Sequence, residues 1–319
     1  MRRSIILAIT LLAASSAFAD VIRKGFTVAD GGTLKLEGAV GNIKIVTGGT
    51  GVAVEITRDA DGRRGERRMK EHKITFEQVG NDVVIDSDLD DDDHFSWFSW
   101  DDDYEVQWNI RVPDRYNVDV STSGGWIELD DIGGTAEART SGGSIRTGRL
   151  GGQSTLKTSG GSITVEGGSA EIHAHTSGGS ISIGDTTGRV EAKTSGGSIK
   201  LARVGGEVTA RTSGGGIRIE DASGTVDAST SGGSIHAQIS RQPSGDSKLS
   251  TSGGGVVVTL GPSIAVDLDA HSSGGSVSSD VPVTIRGTHD DNSIKGQING
   301  GGPRLVLRSS GGGVKVKSL

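Results

Sequence analysis

The sequence predicts an all-β protein built as a single-stranded β-solenoid, or β-helix, with about 18 residues in each coil. Two observations carry this prediction. The tetrapeptide Thr-Ser-Gly-Gly recurs in seven copies at a fixed interval of 18 residues, and a strict repeat of this length indicates stacked structural units. Within each repeat, polar and apolar residues alternate twice, which is typical of two short half-buried strands. The copies begin at Thr122, Thr140, Thr158, Thr176, Thr194, Thr212 and Thr230.

Each repeat reads as two strands and two corners when its threonine is counted as position 1. Position 6 is isoleucine from Ile127 to Ile235, position 8 is mostly apolar, and the residue between them is polar. A second alternating run places apolar residues at positions 15 and 17, and its parity predicts that the next threonine also points inward. We expect Ser-Gly-Gly to turn the chain through backbone angles closed to residues with a Cβ, and a Gly- or Asp-rich corner at positions 9–13.

Stacking these coils at about 4.8 Å would place isoleucine on isoleucine and alanine on alanine. The pattern does not set the handedness of the solenoid. A β-sandwich of short hairpins is the alternative, because it also has strands at a spacing of about 8–12 residues. The constant repeat length favours coils, since hairpin loops tolerate changes of length and this repeat shows none over seven copies.

The N-terminal segment 1–19 has the features of a secretory signal peptide. Arg2 and Arg3 are followed by an apolar run and by Ala-Phe-Ala, a small-residue cleavage site. The apolar run is too short for a stable transmembrane anchor. The chain has no cysteine and a net charge of −7, so disulfides are excluded and nucleic acid is a poor partner. We therefore expect an exported protein, periplasmic or extracellular at the cell surface, with no transmembrane segment.

The rest of the chain divides into an irregular β region at 20–118 and a regular Gly-rich solenoid with longer terminal coils at 119–319. Gly-Asn-Ile-Lys-Ile at 41–45 already looks like a degenerate repeat, so the ladder is expected to begin there and to be interrupted by a long excursion. Residues 74–77 and 82–85 predict a hairpin across Gly80 and Asn81. The alternating runs at 304–307 and 314–316 are expected to finish the rod as terminal coils.

The repeats, the Gly-x-Ile-x-Ile opening, the signal peptide and the strand Asn-Ile-Arg-Val-Pro at 109–113 together resemble the bacterial DUF4097 family, which is described as adhesin-like and is related to the toastrack β-repeat domains of envelope-stress proteins. The resemblance covers nearly all of the chain after the signal peptide. It implies a β-solenoid at the cell envelope and carries over no catalytic residues. The Asp/Trp-rich insertion at 86–104 is not part of the family pattern.

The outward position 18 is the first candidate binding site. It holds one basic or imidazole side chain in each of five consecutive coils, and such a column would suit an anionic ligand such as a lipopolysaccharide phosphate or an acidic glycan. Neighbouring glutamates could instead neutralise the column. Its members are Arg139, Lys157, His175, Lys193 and Arg211.

The second candidate is the Asp/Trp-rich insertion, whose aromatics Trp97, Phe98 and Trp100 could dock a partner. Its carboxylates could collect divalent cations, but an EF-hand loop would need glycine and glutamate where Asp91 and Trp97 stand. A disordered insertion is the third interpretation. The basic segment 58–73 is similarly open between a site for anionic headgroups or glycans and a solvated loop or short helical turn.

No motif for catalysis, nucleotides or a cofactor occurs in the sequence, and no metal site is predicted. His173 and His175 are expected to point outward from one strand as surface residues. We expect a non-catalytic, adhesin-like or structural binding module whose partner is an envelope glycan, lipid or protein, with self-association also open. The alternatives are a polysaccharide-acting β-helix enzyme, which needs carboxylates converging in a groove, and an envelope-stress sensor that uses the Asp/Trp-rich insertion.

Overall fold

The computed structural model describes residues 19–89, 103–285 and 290–319. In these residues the chain forms two sheets of fourteen strands each and one helix. We call them sheet 1, which carries the isoleucines of position 6, and sheet 2, which carries positions 15 and 17. The N-terminal elements are β1 Ala19–Phe26, β2 Thr33–Ala39, β3 Asn42–Val46, β4 Val52–Ala60, α1 Gly62–Glu71, β5 Lys73–Val79, β6 Asp82–Asp88, β7 Tyr104–Arg111 and β8 Asn117–Thr122.

The regular coils alternate between the two sheets and confirm the predicted solenoid. Successive strands within each sheet pair in parallel and in register, so that position 6 lies on position 6, which a sandwich of hairpins would not give. Sheet 1 contains β9 Ile127–Leu129, β11 Ile145–Leu150, β13 Ile163–Gly168, β15 Ile181–Thr186, β17 Ile199–Val204, β19 Ile217–Ala222, β21 Ile235–Ile239 and β23 Val256–Leu260. Sheet 2 contains β10 Ala136–Thr140, β12 Ser154–Thr158, β14 Ile172–His175, β16 Val190–Lys193, β18 Val208–Arg211, β20 Val226–Thr230 and β22 Ser247–Thr251.

The core is a thin slab between the inner faces of the two sheets. The isoleucines of position 6 are almost fully buried, and so are the alanines and branched residues of sheet 2 that face them. Position 11 is also buried, as at Leu150 and Val204, because the first strand of the coil continues to that position. The predicted corner at positions 9–13 was therefore too long at its start.

The threonines of position 1 point inward, as predicted, and they tie neighbouring coils together. Thr158 donates its hydroxyl hydrogen to the carbonyl oxygen of Gly143 at 2.7 Å, and Thr176 makes the same bond to Gly161. The bond recurs from Thr122 to Thr251, and serine makes it at Ser272 and Ser309. A buried hydroxyl thus satisfies a corner carbonyl in coil after coil.

The second glycine of each Ser-Gly-Gly corner is required because there is no space for a Cβ, and not, as expected from the sequence, because of an unusual backbone angle. None of these glycines has a backbone angle in the left-handed region. A Cβ on Gly161 would instead overlap the carbonyl of Gly143, and one on Gly179 would overlap that of Gly161. The corners stack backbone against backbone, so no side chain fits between them.

The solenoid begins before the regular repeats, as the sequence indicates. β2 pairs with β8, and β3 pairs with β9 so that Ile43 lies opposite Ile127. The described strands and helix between β3 and β8 belong to the predicted excursion, and its strands lie at the N-terminal end of the rod. β7 pairs in parallel with β3, β4 lies antiparallel to β7, and β1 forms the edge of sheet 1. The predicted hairpin is β5–β6 at the edge of sheet 2. The division at residues 118 and 119 stays a prediction.

The C-terminal end differs from the sequence order. Its strands are β24 Val266–Ser272, β25 Val277–Ser279, β26 Ser293–Ile298, β27 Arg304–Ser309 and β28 Val314–Ser318. β27 lies between β22 and β24, and β28 lies between β23 and β25. The expectation that the last runs form the end of the rod was wrong: the final coil inserts one layer earlier. The edge of sheet 2 is instead β26, which pairs antiparallel with β24.

Candidate functional site

The predicted basic column exists as a row of neighbouring residues on the outer face of sheet 2. The parallel register places the five position-18 residues on consecutive strands, each directly opposite the next, at roughly 4.8 Å from strand to strand. They follow one another as Arg139, Lys157, His175, Lys193 and Arg211.

Three members of this column form ion pairs with neighbouring acidic side chains. Arg139 contacts Glu137 and also Asp119, the latter at 3.2 Å. Lys193 contacts Glu191, and the hydrogen bond from that ammonium holds the pKa of the Glu191 carboxyl below its ordinary value. The column is therefore largely neutralised at these coils, in agreement with the alternative interpretation.

Arg211 is paired in the same way, at 2.5 Å from Asp227. The middle of the column is different. Within the described residues, Lys157 and His175 have no ion-pair partner, and the adjacent outward position holds Thr155 and His173. The unpaired basic surface is thus centred on two coils, while the assignment of all five residues to a ligand stays a prediction.

The aromatic residues of the insertion, Trp97, Phe98 and Trp100, lie outside the described residues. The described chain leaves sheet 2 after β6 and re-enters sheet 1 at β7. A partner-docking role for these aromatics stays a prediction.

The basic segment 58–73 contains a longer helix than the short turn that the sequence suggested. α1 spans Gly62–Glu71, and Met69 packs against the core from it. Gly65 faces the main chain so closely that a Cβ would overlap the carbonyl of Asp103. Arg63 and Lys70 are exposed on the other side. The helix therefore packs on the N-terminal end of the rod while presenting basic side chains outward.

A buried polar cluster lies where α1 meets the sheets, and sequence reasoning missed it. The imidazole of His72 lies with its Nδ1 at 2.6 Å from the Tyr104 hydroxyl and its Nε2 at 2.8 Å from the Ser87 hydroxyl. All three side chains are more than nine-tenths buried. Arg58 donates to the carbonyl oxygens of Met69 at 3.3 Å and His72 at 3.4 Å.

The environment keeps His72 neutral. Burial and the nearby Arg58 guanidinium lower the pKa of His72 from 6.5 to about 4, against the opposing effect of Asp88. Burial also raises the pKa of the Tyr104 phenol. A neutral imidazole donates with one nitrogen and accepts with the other, so both ring nitrogens are satisfied. The arrangement joins the end of α1 to β6 and β7 as a structural tie, because Ser87 is too deeply buried to meet a substrate.

The predicted surface histidines do not assemble a metal site in the described chain. His173 lies between Glu171 at 3.2 Å and Glu191 at 3.4 Å, while His175 is exposed beside it. Across residues 19–89, 103–285 and 290–319, no group of three or more His, Asp or Glu side chains is placed to hold a metal ion. None of the helical structure in those ranges is long and apolar enough to cross a membrane.

The repeats, the parallel ladders and the glycine corners agree with a family match. The family described as Toastrack DUF4097 matches residues 42–317. The chain therefore belongs to the DUF4097 family, and its fold is a toastrack β-solenoid. No curated protein gives a significant match to the chain.

Three solved structures that match this chain are only 13–15% identical to it. A proposed adhesin from Bacteroides fragilis is 15% identical, with 94% of this chain and 97% of that chain covered and a TM-score of 0.38. A proposed adhesin from Parabacteroides distasonis is 14% identical, with the same coverages and a TM-score of 0.39. A proposed lipid-binding protein from the same species is 13% identical, with coverages of 95% and 97% and a TM-score of 0.36. Function does not follow from similarities of this size.

Proposed function

We propose that this protein is a non-catalytic, adhesin-like binding module that is exported to the bacterial cell envelope. The observation that carries the proposal is the straight columns of outward side chains, which the in-register ladders hold at one fixed spacing over many coils. Small-molecule and catalytic sites are usually concave and bring a few polar groups together. A long face with a periodic pattern suits an extended ligand or a large partner surface instead.

The rigid ladder would let weak contacts add up. Each coil offers one outward polar group per column at about 4.8 Å from the next, so a ligand that follows the rod can contact several coils at once. Linking such contacts raises the overall affinity without requiring a deep pocket, provided that ligand and surface match in spacing. The outer face of sheet 2 is our first candidate for this role, with Lys157 and His175 as its unpaired basic centre.

Export rests on the N-terminal sequence, in which a charged start, an apolar run and a small-residue cleavage site follow one another in residues 1–19. Residence in the periplasm or at the cell surface would bring the folded solenoid into contact with anionic envelope polymers. The net charge of −7 makes local basic positions, rather than general charge attraction, the expected points of contact.

The test is a binding screen of the protein without residues 1–19 against peptidoglycan, lipopolysaccharide and purified envelope fractions, at low and high salt. A column variant replaces four basic residues of sheet 2 by serine, and a matched variant replaces four exposed basic residues of sheet 1. The column residues are Arg139, Lys157, Lys193 and Arg211, and the matched residues are Arg146, Arg149, Lys200 and Arg218.

We expect salt-sensitive binding by the wild type and the matched variant, with weaker binding by the column variant. Equal losses in both variants would reduce the effect to net charge and remove the column as a site. A wild type that binds no envelope fraction at either salt concentration would refute the adhesin-like function. Fractionation of a cell that expresses the full chain checks the location, and retention in the cytoplasm would contradict export.

A further inference from the structure

The N-terminal end of sheet 1 carries a second outward surface that the repeat pattern does not explain. The four strands β1, β4, β7 and β3 lie side by side there, and their register aligns outward residues in rows. One row runs from Arg23 through Glu55 and Asn109 to Lys44 and continues to Glu128 on β9. This surface lies on the sheet opposite to the basic column.

The next row along the strands forms the floor of a shallow groove. It contains Gly25, Ala53 and Val46, whose small side chains lie low between longer neighbours, and it also contains Arg111. The groove has a volume of about 490 Å³ and is open along the sheet. Its depth follows from the sequence, because glycine and alanine stand where adjacent rows carry arginine and lysine.

Basic residues outnumber acidic ones among the lining of the groove, although the whole protein is acidic. Arg23 pairs with Glu55 at 2.6 Å, and Lys44 pairs with Glu128 at 2.9 Å, so each of these cations has one carboxylate partner. Arg111 is exposed and has no ion-pair partner among the described residues. Four basic residues therefore line the groove, with Glu55 as the carboxylate among its lining residues: Arg23, Lys24, Lys44 and Arg111.

Trp126 lies beside β3 on this outer face of sheet 1 and differs from the residues that the repeat carries at its position. It occupies position 5, where the following coils carry serine or glycine. At that position the hydroxyl of Ser144 accepts the backbone hydrogen bond from Ser162 at 3.1 Å, and Ser162 does the same for Ser180. An indole cannot accept this bond, and Trp126 as a whole residue is 36% exposed. A large residue that replaces a structural hydrogen-bond acceptor and stays more than a third exposed is a candidate for function.

Polar side chains connect the indole to the groove. The backbone N–H of Trp126 donates to the Asn42 side-chain oxygen at 3.1 Å, and Asn42 lies opposite Gln107 in the sheet. From Asn42 to the groove floor at Val46 the surface extends roughly 13 Å along β3 at about 3.3 Å per residue. An indole face, side-chain amides and cations therefore follow one another along one continuous strip.

We propose that this strip, from Trp126 to Arg111, binds a carboxylate-bearing glycan chain. The proposal rests on the adhesin-like function and names a ligand class for it. The apolar face of a sugar ring would stack on the indole, and the amides of Gln107 and Asn109 would hydrogen-bond its hydroxyls. The guanidinium of Arg111 would receive a carboxylate in charge-assisted hydrogen bonds. The length of the strip suits a chain of several sugars rather than a monosaccharide.

A lipid surface fits this strip less well than a glycan. Membrane-surface binding uses a broad apolar face that enters the boundary between headgroups and acyl chains. Among the described residues, the exposed large apolar side chains are Val21, Val79, Trp126 and Leu319, so this end of sheet 1 offers little more than one indole and one valine. Anionic vesicles therefore serve as an opposing arm of the test.

The experiment measures binding of oligogalacturonate by isothermal titration calorimetry, at low and high salt, to the protein without residues 1–19. A cello-oligosaccharide of the same length tests the need for carboxylates, and vesicles of phosphatidylglycerol and phosphatidylcholine test the lipid source. The variants are Trp126→Ser, which restores the residue of the repeat, and Arg111→Gln. The control is Arg218→Gln, an exposed outward residue of the same sheet about 29 Å from β3 at ~4.8 Å per strand.

We expect salt-sensitive binding of oligogalacturonate and binding of the neutral chain that is at least about tenfold weaker. Loss of a central aromatic or arginine anchor should weaken binding about tenfold or more, while Arg218→Gln should leave it unchanged. Arg111→Gln should also reduce the salt dependence. Circular dichroism and thermal unfolding of each variant separate these losses from misfolding, and Trp126→Ser restores the residue that most of the following coils carry at this position.

Three results would overturn the glycan proposal: equal binding of charged and neutral chains, full binding by both variants, or binding of phosphatidylglycerol vesicles without oligogalacturonate. A protein that binds envelope fractions but not oligogalacturonate would also overturn it, while the adhesin-like function would stand. If oligogalacturonate binds through Trp126 and Arg111 but no envelope fraction does, the glycan site stands and the adhesin-like function fails.

Discussion

The hydrogen bonds from the buried threonines of position 1 to the corner carbonyls, which we call the hydroxyl ladder, give a direct test of what holds the coils together. Thr176 is fully buried, and its hydroxyl donates to the carbonyl of Gly161 at 2.7 Å while accepting a longer bond from the N–H of Gly179 at 3.3 Å. Thr176→Val keeps nearly the same volume and replaces the hydroxyl by a methyl group. Within the described chain, the Gly161 carbonyl would then lose the hydrogen bond that the structure gives it.

The magnitude follows from that orphaned carbonyl. Leaving a buried acceptor without its partner costs about 1–3 kcal/mol, which is more than the net value of a typical hydrogen bond. Thr176→Ser retains the hydroxyl and loses one methyl group, so its cost should be about 1 kcal/mol or less by analogy with other single-methyl deletions. Ser272 and Ser309 show that serine can make the same bond, each at 2.7 Å.

Urea unfolding followed by circular dichroism compares the three proteins, and hydrogen exchange of the amides around Gly179 locates the effect. Local exchange matters because the stability of stacked repeats is distributed among neighbouring units, and one global transition can hide a local loss. We expect Thr176→Val to be less stable than Thr176→Ser. The reverse order, with valine at least as stable as the wild type, would show that methyl packing rather than the hydroxyl ladder stabilises the corner.

Three further perturbations test other parts of the structure. Gly125→Ala should lower the free energy of unfolding in urea by about 1–3 kcal/mol or more, because the added Cβ would overlap the carbonyl of Gly41. Gly124→Ala is the matched control: its Cβ would have nothing within 4 Å, so the free energy of unfolding should change by less than about 1 kcal/mol. Folding lowers the pKa of His72 to about 4, so the unfolded chain binds a proton more readily below pH 6.5, and the free energy of unfolding should fall by up to about 3 kcal/mol as the pH drops to 4. His72→Gln should flatten this fall of stability with pH, and an unchanged pH dependence in the variant would contradict a buried neutral His72. Deleting residues 303–319 removes β27 and β28 from the interior of both sheets, so 266–279 should lose protection from hydrogen exchange, and retained protection would contradict the strand order.

The repeated part of the fold could be predicted in detail because stacking coils share one register. When position 6 of one coil lies on position 6 of the next, the same side-chain requirement recurs every 18 residues and becomes visible as a column in the sequence. The inward direction of the threonines followed from parity alone. The long excursion was also legible, since Gly-Asn-Ile at 41–43 retains the corner and the first inward isoleucine of the repeat.

The spatial order of the last coils could not be predicted, because coils with the same pattern can pair with any neighbour of the same register. The run from Arg304 to Ser309 matches the ladder of β22 as well as it would match an end position. Insertion of this coil leaves β24 to pair with the antiparallel β26 at the edge of sheet 2. The local sequence specifies the coil, while the choice of neighbour depends on the whole C-terminal end.

The buried cluster around His72 left no signal in the sequence for a related reason. Its hydrogen-bond partners Ser87 and Tyr104 come from two different sheets, at separations of 15 and 32 residues that match no motif. The sequence shows only a histidine after a basic helix. Burial then lowers its pKa, and the shift belongs to the assembled end of the rod rather than to any short segment.

The regularity of the solenoid also gives its exceptions their meaning. In most coils, position 5 supplies a hydroxyl that binds the next backbone, so natural variation at that position should stay among small residues. Trp126 departs from this requirement at the coil where the outward face changes from a regular ladder to the groove lined by Arg23, Lys44 and Arg111. A large, partly exposed side chain that lies outside the hydrophobic core, beside a charged concave surface, is better explained by a ligand than by the fold. The serine variant separates these explanations, because it restores the hydroxyl acceptor of the repeat, so the coil should stay folded while glycan binding weakens.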